Sequence, residues 1–240
     1  MRRIRVLAID VDGTITVSPS EYTLYLPAVE LINRLSERFV TILVSGNSAP
    51  MMIGLARYIK TSGYVVAENG GSIAIGDEIT WLCSDHEQEI LSRLEEEIYD
   101  KYKSIISKSW QNNFMKCSKA FKKIKSSVDT EEIIDSLKKY VASRGLGDLY
   151  IASSKVAIHI NPSRLTKALG VEKILERLGF SWSEVLAVGD SDIDVDLIER
   201  AELGCAVANA SDKLKRVAKC FSQYEAGRGF VDIVTRYLGL

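Results

Sequence analysis

Two groups of aspartates lie far apart in the sequence: Asp10 and Asp12 near its start, and Asp190, Asp192 and Asp194 near its end. If folding gathers them, like charges at short range raise one another's pKa and cost stability unless a cation compensates. A hard divalent ion is the natural solution, and Mg²⁺ favours one or two carboxylates together with water and phosphate oxygens. The aspartates therefore predict a magnesium site suited to phosphate chemistry.

Ser45 and Lys167 could supply hydroxyl and ammonium contacts for an anionic substrate at such a site. Each feature alone has a more ordinary explanation: a solvated loop or a helix cap for the Asp-x-Asp pattern, a turn for Ser45-Gly46, and a surface position for one lysine. Their combination favours a single site. Because no His or Cys stands at these positions, a nucleophilic triad is not supported.

Three short apolar runs deliver these residues: Ile4 to Ile9, Phe39 to Val44, and Val185 to Val188. Each has the composition of a buried strand and ends in the polar residues named above. In open α/β sheets, ligands bind beyond the carboxyl ends of the strands. The spacing therefore predicts that the aspartates, Ser45 and Lys167 meet at one edge of a sheet.

Predicted strands alternate with predicted helices in the first and last thirds of the chain, which indicates an α/β fold: a Rossmann-like parallel sheet with helices on both faces. The middle of the chain differs, with helices predicted over His86 to Tyr102 and after Asp129, followed by two strands. We expect residues 1–82 and 160–240 to form a catalytic core, and residues 83–159 to form an inserted α+β cap domain that governs substrate specificity.

The composition excludes several classes of protein. The 240 residues are 46% hydrophobic with a formal net charge of −1, which argues against disorder and against a strongly basic nucleic-acid binder. No apolar run is long enough for a signal peptide or a membrane span, so we expect a cytoplasmic protein. The four cysteines show no C-x-x-C pair, and we expect them to be buried free thiols in a reducing compartment.

Four segments together resemble the motifs of the haloacid dehalogenase superfamily: DVDGT at 10–14, SGN at 45–47, Lys167, and GDSDID at 189–194. The large insertion is similar to the type-2 caps of the Cof-like branch. ENGG at 68–71, the compact cap and GRGFVDIV at 227–234 resemble the archaeal-type phosphoglycolate phosphatases.

The resemblance implies a Mg²⁺-dependent phosphate monoester hydrolase that works through an aspartyl-phosphate, most simply converting 2-phosphoglycolate to glycolate. It implies that Asp10 is the nucleophile and that Asp12 is the general acid and base. Two sets of residues follow from it: phosphoryl contacts from Thr14, Ser45, Gly46 and Lys167, and metal ligands from Asp10, the carbonyl of Asp12, Asp190 and Asp194.

The sequence departs from the usual pattern at one position, where Ile193 replaces an Asn that is common in this branch. Both aspartates of the motif remain, so metal binding is expected to survive. A loop hydrogen bond from the Asn is lost, and Asp192 could substitute in part.

The cap segment leaves several interpretations open. Between Lys101 and Lys125 the chain carries eight lysines and no acid. They could form a solvated positive face, or a basic lining that attracts a second anionic group on the substrate. Lys155 and His159, on a predicted strand, could be structural or could contact substrate.

The same residues are compatible with other functions. Within the superfamily, the substrate could be a sugar phosphate or mannosyl-phosphoglycerate. From a different class, the chain could be a non-catalytic phosphate-sensing module, although the Asp at position 12 argues against this. We expect a small-molecule phosphate ester as partner, no nucleic acid or membrane, and a monomer or homodimer.

Overall fold

The computed structural model describes residues 4–154 and 157–239, and within them it contains twelve β-strands and eight α-helices. The strands are β1 (Val6–Asp10), β2 (Val40–Val44), β3 (Tyr64–Ala67), β4 (Ser72–Ile75), β5 (Glu78–Trp81), β6 (Ile106–Lys108), β7 (Lys119–Lys123), β8 (Leu149–Ser154), β9 (Ala157–Pro162), β10 (Val185–Gly189), β11 (Leu203–Ala206) and β12 (Cys220–Phe221). The helices are α1 (Leu26–Leu35), α2 (Ala49–Tyr58), α3 (Asp85–Tyr102), α4 (Thr130–Ser143), α5 (Lys167–Leu178), α6 (Val195–Arg200), α7 (Asp212–Val217) and α8 (Ala226–Leu238).

The larger sheet has eight strands in the order β12-β11-β10-β1-β2-β3-β4-β5. Its strands from β12 to β3 run parallel, and β4 and β5 add an antiparallel edge. This confirms the predicted α/β core. Because β1, β2 and β10 are adjacent and parallel, their carboxyl ends lie side by side.

The central strand β1 is buried on both faces, which explains why its sequence is continuously apolar up to its final aspartate. Leu7 and Ile9 pack in one core cluster with residues of α1, α2 and α8. Val6 and Ala8 pack in a second cluster with residues of α5, α6 and α7. Helices therefore cover both faces of the sheet.

The smaller sheet is antiparallel, with the order β6-β7-β9-β8, and it lies in the chain between β5 and α5. Its core forms with α3 and α4, around buried residues such as Leu91, Phe121 and Leu137. Helix α3 begins in a capping box between Ser84 and Glu87. These elements form the predicted α+β insertion.

Two elements differ from the sequence-based expectation. Strands β6 and β7 form within the lysine-rich run, where no strand was expected because lysine is depleted in strands. The sequence predicts a final helix over Phe230 to Leu238, and helix α8 begins four residues earlier, at Ala226. Gly227 and Gly229 obscure its start in the sequence, and both are required by close packing, since a Cβ at Gly227 would lie 2.3 Å from Tyr25.

The expectation of free thiols is wrong. Cys83 is bonded to Cys117 and Cys205 is bonded to Cys220, and no cysteine is free. The scattered spacing in the sequence hides these pairs because tertiary structure creates them: Cys205 and Cys220 are partners in the parallel pairing of β11 with β12. Because the four cysteines are paired, they do not indicate a reducing compartment.

Of the helices in residues 4–154 and 157–239, none is both long enough and apolar enough to cross a membrane.

Candidate functional site

The carboxyl ends of β1, β2 and β10 bring together most of the predicted site residues around one cavity of about 190 Å³. Six of them line it: Asp10, Asp12, Ser45, Gly46, Lys167 and Asp190. Thr14 and Asp194 are fully buried and are not part of the lining. Residues from opposite ends of the sequence thus meet because parallel strands end at one edge.

Lys167, the first residue of α5, lies between two carboxylates. Its Nζ donates to Asp10 Oδ1 and to Asp194 Oδ1, each at 2.6 Å, and all three side chains are buried. Burial alone would lower the pKa of Lys167, but the charges of Asp10 and Asp194 outweigh this and raise it above its usual range. The two carboxylates therefore favour the charged ammonium in the site.

Three carboxylates could hold a metal ion. One oxygen from each of Asp10, Asp190 and Asp194 lies within 4.8 Å of the others. Asp10 Oδ2 is buried and has no hydrogen-bond partner in the described part of the chain, so it is available as a ligand. Burial, followed by the charge of Asp194, raises the pKa of Asp10 well above its ordinary value, and Lys167 opposes this. A hard cation such as Mg²⁺ fits this set of oxygen donors.

Asp194 also shapes the loop after β10. Its Oδ2 accepts hydrogen bonds from the backbone N–H of Asp190 at 3.2 Å and of Ser191 at 2.9 Å, and from the Ser191 hydroxyl at 2.8 Å. Both of its oxygens are therefore already hydrogen-bonded. Asp10 and Asp190 are better placed to contact a metal directly, with Asp194 holding the loop and Lys167.

Asn209 connects the two motifs that carry the aspartates. Its Nδ2 donates to the carbonyl of Gly13 and to Asp190 Oδ2, both at 3.0 Å, and its Oδ1 accepts from the Ala226 backbone at 2.7 Å. Gly13 has a φ of +82°, and a Cβ there would lie 2.4 Å from Asp190 Oδ2. The Gly in the Asp-x-Asp-Gly-Thr motif is thus required by both the backbone and the carboxylate beside it.

Asp12 is held by the residues that follow β2. Its Oδ2 accepts from Asn47 Nδ2 at 2.8 Å and lies 3.4 Å from the Ser45 hydroxyl. Burial raises the pKa of Asp12, and Lys167, Asn47 and Ser45 partly oppose that rise. A carboxyl with a raised pKa that lines the cavity is suited to proton transfer.

Gln111, in the 3₁₀ turn Trp110–Phe114 of the insertion, reaches across the cavity to the same residues. Its Nε2 donates to Asn47 Oδ1 and its Oε1 accepts from the Ser48 backbone N–H, both at 2.7 Å. A chain of hydrogen bonds therefore runs from the insertion through Asn47 to Asp12.

Thr14 and Gly46 occupy tight positions. Thr14 Oγ1 is buried without a hydrogen-bond partner among residues 4–154 and 157–239. A Cβ at Gly46 would lie 2.8 Å from His159 Cε1 and 2.9 Å from Asn69 Oδ1, so only glycine fits between these side chains.

Ile193, which replaces the Asn common in the resembled branch, lines the cavity. The neighbouring Asp192 accepts a hydrogen bond from the Ser211 hydroxyl, and the Ser211 N–H donates to the Asp190 carbonyl. Asp192 therefore ties the loop after β10 to Ser211, which precedes α7.

The lysine-rich run does not form one uniform face. Lys119 is buried and pairs with Glu95 at 3.1 Å, while Lys122 lines the cavity. His159 also lines it and is buried. Lys155 lies outside the described residues.

Sequence reasoning passed over four polar residues of the site. Asn47 and Asn69 lie within the quoted SGN and ENGG segments, so the signal was present without an assigned role. Gln111 and Asn209 carry no local signal, because only the tertiary fold brings them to the aspartates.

Comparison with known proteins agrees with this geometry. A family model described as haloacid dehalogenase-like hydrolase matches residues 74–234. The chain is 33% identical to phosphoglycolate phosphatase 1 of Saccharolobus solfataricus, covering 98% of this chain and 96% of that one. It is also 33% identical to the phosphoglycolate phosphatase of Staphylothermus marinus, covering 98% of each. A crystal structure of a Thermoplasma acidophilum protein, 27% identical, matches with a TM-score of 0.84 over the whole of both chains.

Proposed function

The chain belongs to the haloacid dehalogenase-like hydrolases and is a phosphoric monoester hydrolase, and we propose that it dephosphorylates 2-phosphoglycolate through a phospho-aspartate formed on Asp10. The observation that carries the chemistry is the buried ammonium of Lys167, shared at 2.6 Å by Asp10 and Asp194 beside Asp12 and Asp190. It supports a site built for a dianionic group that approaches a carboxylate.

Two observations support the choice of substrate. The two relatives above, which match nearly their full length, are named phosphoglycolate phosphatases. The cavity, at about 190 Å³, is smaller than the roughly 300–1,000 Å³ that is usual for larger ligands. A short phosphorylated acid fits that space better than a sugar phosphate.

In the first step, a carboxylate oxygen of Asp10 attacks phosphorus while the bond from phosphorus to the ester oxygen breaks. Asp12 gives its proton to the departing alkoxide, which leaves as glycolate. Lys167, Ser45 and the Gly46 backbone, which line the cavity, stabilise the charge on the phosphoryl oxygens. The raised pKa of Asp12 favours its protonated form at the start of this step.

In the second step, Asp12, now ionised, takes a proton from water, and the resulting hydroxide attacks the phosphorus of the phospho-aspartate. The bond to the Asp10 oxygen breaks, which releases inorganic phosphate and restores both carboxyl groups. Asn47 keeps Asp12 in one position for both proton transfers.

We further propose that Asp10, the Asp12 carbonyl and Asp190, with Asp194 beside them, hold Mg²⁺. When bound, the ion supplies positive charge that offsets Asp10 and the phosphate dianion. The buried Asp10 Oδ2, which has no hydrogen-bond partner among the described residues, supports this assignment.

The same proposal assigns residues 1–82 and 160–240 to a catalytic unit and residues 83–159 to a cap. Its support is the composition of the cavity wall, in which Asp10 and Ser45 face Gln111, Lys122 and His159. Closure of the cap would exclude water from the reacting groups.

A panel of phosphate esters assayed with Mg²⁺ tests the substrate. We expect 2-phosphoglycolate to give one of the highest kcat/KM values, and a hexose phosphate that is better by orders of magnitude would contradict the assignment. Excess EDTA should stop turnover.

A nucleophile variant tests the mechanism. Asp10→Asn should abolish turnover and the transfer of radiolabelled phosphate to the protein, with the fold retained. Asp100→Asn, on the exposed face of α3, is the matched control and should keep full activity. Substantial turnover by Asp10→Asn would end the assignment of Asp10 as nucleophile.

A further inference from the structure

Two buried polar side chains in the cavity wall have no role in the chemistry above: Asn69, in the turn after β3, and His159, on β9. They are 3% and 7% exposed. Asn69 Nδ2 and His159 Nδ1 have no hydrogen-bond partner in the described part of the chain. Because burial of an unpaired polar group costs folding free energy, two such groups in one cavity indicate a place for a ligand.

Asn69 and His159 converge on the backbone next to Ser45. A Cβ at Gly46 would contact both side chains, at 2.9 Å from Asn69 Oδ1 and 2.8 Å from His159 Cε1. In 2-phosphoglycolate, only the ester oxygen and one methylene separate phosphorus from the carboxylate carbon. The carboxylate must therefore bind directly beside the phosphoryl group, which is where these two side chains lie.

The charge around this part of the cavity suits an anion. Among the described lining residues, the acids are Asp10, Asp12 and Asp190 at the metal end, and the cap side carries Lys122. Burial lowers the pKa of His159 to about 4, with Lys167 adding to the effect, so the ring is neutral at pH 7. Ser154 Oγ lies 3.2 Å from His159 Nε2 and 3.3 Å from the Ala157 carbonyl oxygen, and its single proton can be donated to either. In the tautomer that donates to a ligand through Nδ1–H, Nε2 accepts this proton from Ser154.

We propose that Asn69 and His159 bind the carboxylate of the substrate, and that they thereby select a small phosphorylated acid over a neutral phosphate ester. This inference rests on the proposed phosphatase function and specifies which residues choose the substrate.

The sharpest test places a like charge at the subsite. Asn69→Asp has the same shape, and aspartate tolerates the left-handed φ of +54° at this position. Two substrates are compared, 2-phosphoglycolate and ethyl phosphate, which differ by a carboxylate in place of a methyl group. We expect the ratio of their kcat/KM values to fall by about tenfold or more, mainly through a higher KM for 2-phosphoglycolate.

Asn113→Asp is the matched control, because the substitution makes the same change of charge. Asn113 is exposed and lies in the same turn of the insertion as Gln111. It should leave the ratio unchanged. An unchanged ratio in Asn69→Asp, or equal losses with both substrates, would overturn the role of Asn69 as a carboxylate ligand.

His159 is tested by a pair of variants. His159→Leu removes the polar atom and should lower the ratio, whereas His159→Asn can place an amide group near the position of Nδ1 and should recover part of it. If Leu and Asn behave alike, His159 has only a packing role.

A binding measurement separates this inference from the proposed function. In the Asp10→Asn background, calorimetry gives the affinities of 2-phosphoglycolate and ethyl phosphate with and without Asn69→Asp. A selective loss for 2-phosphoglycolate supports the subsite even if another ester proves to be the better substrate. Equal affinities of the parent for both compounds would refute the subsite while leaving phosphatase activity intact.

Discussion

At the scale of single residues, the site depends on one buried cation among acids. Lys167 contacts Asp10 and Asp194, and its removal leaves carboxylates buried without compensation. Breaking a buried ion pair in this way typically costs about 3–5 kcal/mol. We expect Lys167→Met to lose turnover and to lower the free energy of unfolding by that order, measured by urea denaturation without Mg²⁺.

The pH dependence of this loss has a definite sign. Without the ammonium, the already raised pKa of Asp10 rises further. A carboxyl with a raised folded-state pKa contributes stability that is present below its unfolded pKa and is lost as pH rises through its folded pKa. The difference in free energy of unfolding between the parent and Lys167→Met should therefore shrink as pH falls from about 7 towards 4. Lys173→Met, whose partner Glu176 is exposed, should cost little at any pH, and a deficit that is independent of pH would contradict the argument.

Gln111 provides a second residue-scale prediction, because it holds Asn47, which in turn holds Asp12. Gln111→Ala should lower kcat by about tenfold to a hundredfold through misplacement of Asp12. The loss should be larger with alkyl phosphates, whose leaving group needs a proton, than with p-nitrophenyl phosphate. Asn113→Ala is the exposed control in the same turn, and equal losses on both kinds of ester would show that Gln111 does not act through Asp12.

At the scale of elements, the sequence predicted the strands that have a clear local pattern of apolar residues. The strands that lead to Asp10, Ser45 and Asp190 were recognisable because buried parallel strands are continuously apolar. Strands β6 and β7 were not recognisable, because they are rich in lysine, which is depleted in strands. They form through pairing with each other and with β9, and through packing against α3. The same difference applies to the site. The aspartates were predicted because they follow apolar strands, whereas Gln111 was not predicted because only the packing of the insertion against the core brings it to the site.

Glu68 shows how one element holds another. It follows β3 directly, with a φ of +53°, and is fully buried. Its Oε2 accepts from the backbone N–H of Lys116 at 2.9 Å and of Cys117 at 2.7 Å. Glu68→Ala removes the acceptor of both backbone N–H groups, and the buried one, that of Cys117, is left unpaired at a cost of about 1–3 kcal/mol. We expect a lower free energy of unfolding by chemical denaturation, and a loss no greater than that of an exposed Glu78→Ala control would contradict this role.

The titration of Glu68 gives a separate expectation. Burial raises its pKa, although the N–H groups of Cys117 and Lys116 and the Ser72 hydroxyl oppose this. The stability it contributes is thus present below its unfolded pKa of about 4.3 and is lost as pH rises through its folded value. Glu68→Gln does not titrate, so its free energy of unfolding should increase relative to that of the parent protein as pH rises across this window. A constant difference would show that the folded pKa is not raised.

At the scale of the whole molecule, two disulfides close loops that the sequence pattern gave no reason to expect. Cys83–Cys117 spans 34 residues and joins the chain entering α3 to the segment that Glu68 holds. Cys205–Cys220 spans 15 residues and joins the last two parallel strands of the larger sheet. One disulfide therefore stabilises the insertion and the other stabilises an edge of the core.

Their removal should cost stability in the order of their loop lengths. In the chain-entropy model, a 15-residue loop contributes roughly 3 kcal/mol and a longer loop contributes more. We therefore expect Cys83→Ala with Cys117→Ala to lower the free energy of unfolding more than Cys205→Ala with Cys220→Ala. Alanine is chosen over serine because a serine at these positions would bury an unpaired hydroxyl. A thiol assay on the denatured, unreduced parent protein should find no free thiol. Four reactive thiols before reduction, or unaltered stability in both double variants, would show that these bonds do not form in the folded protein.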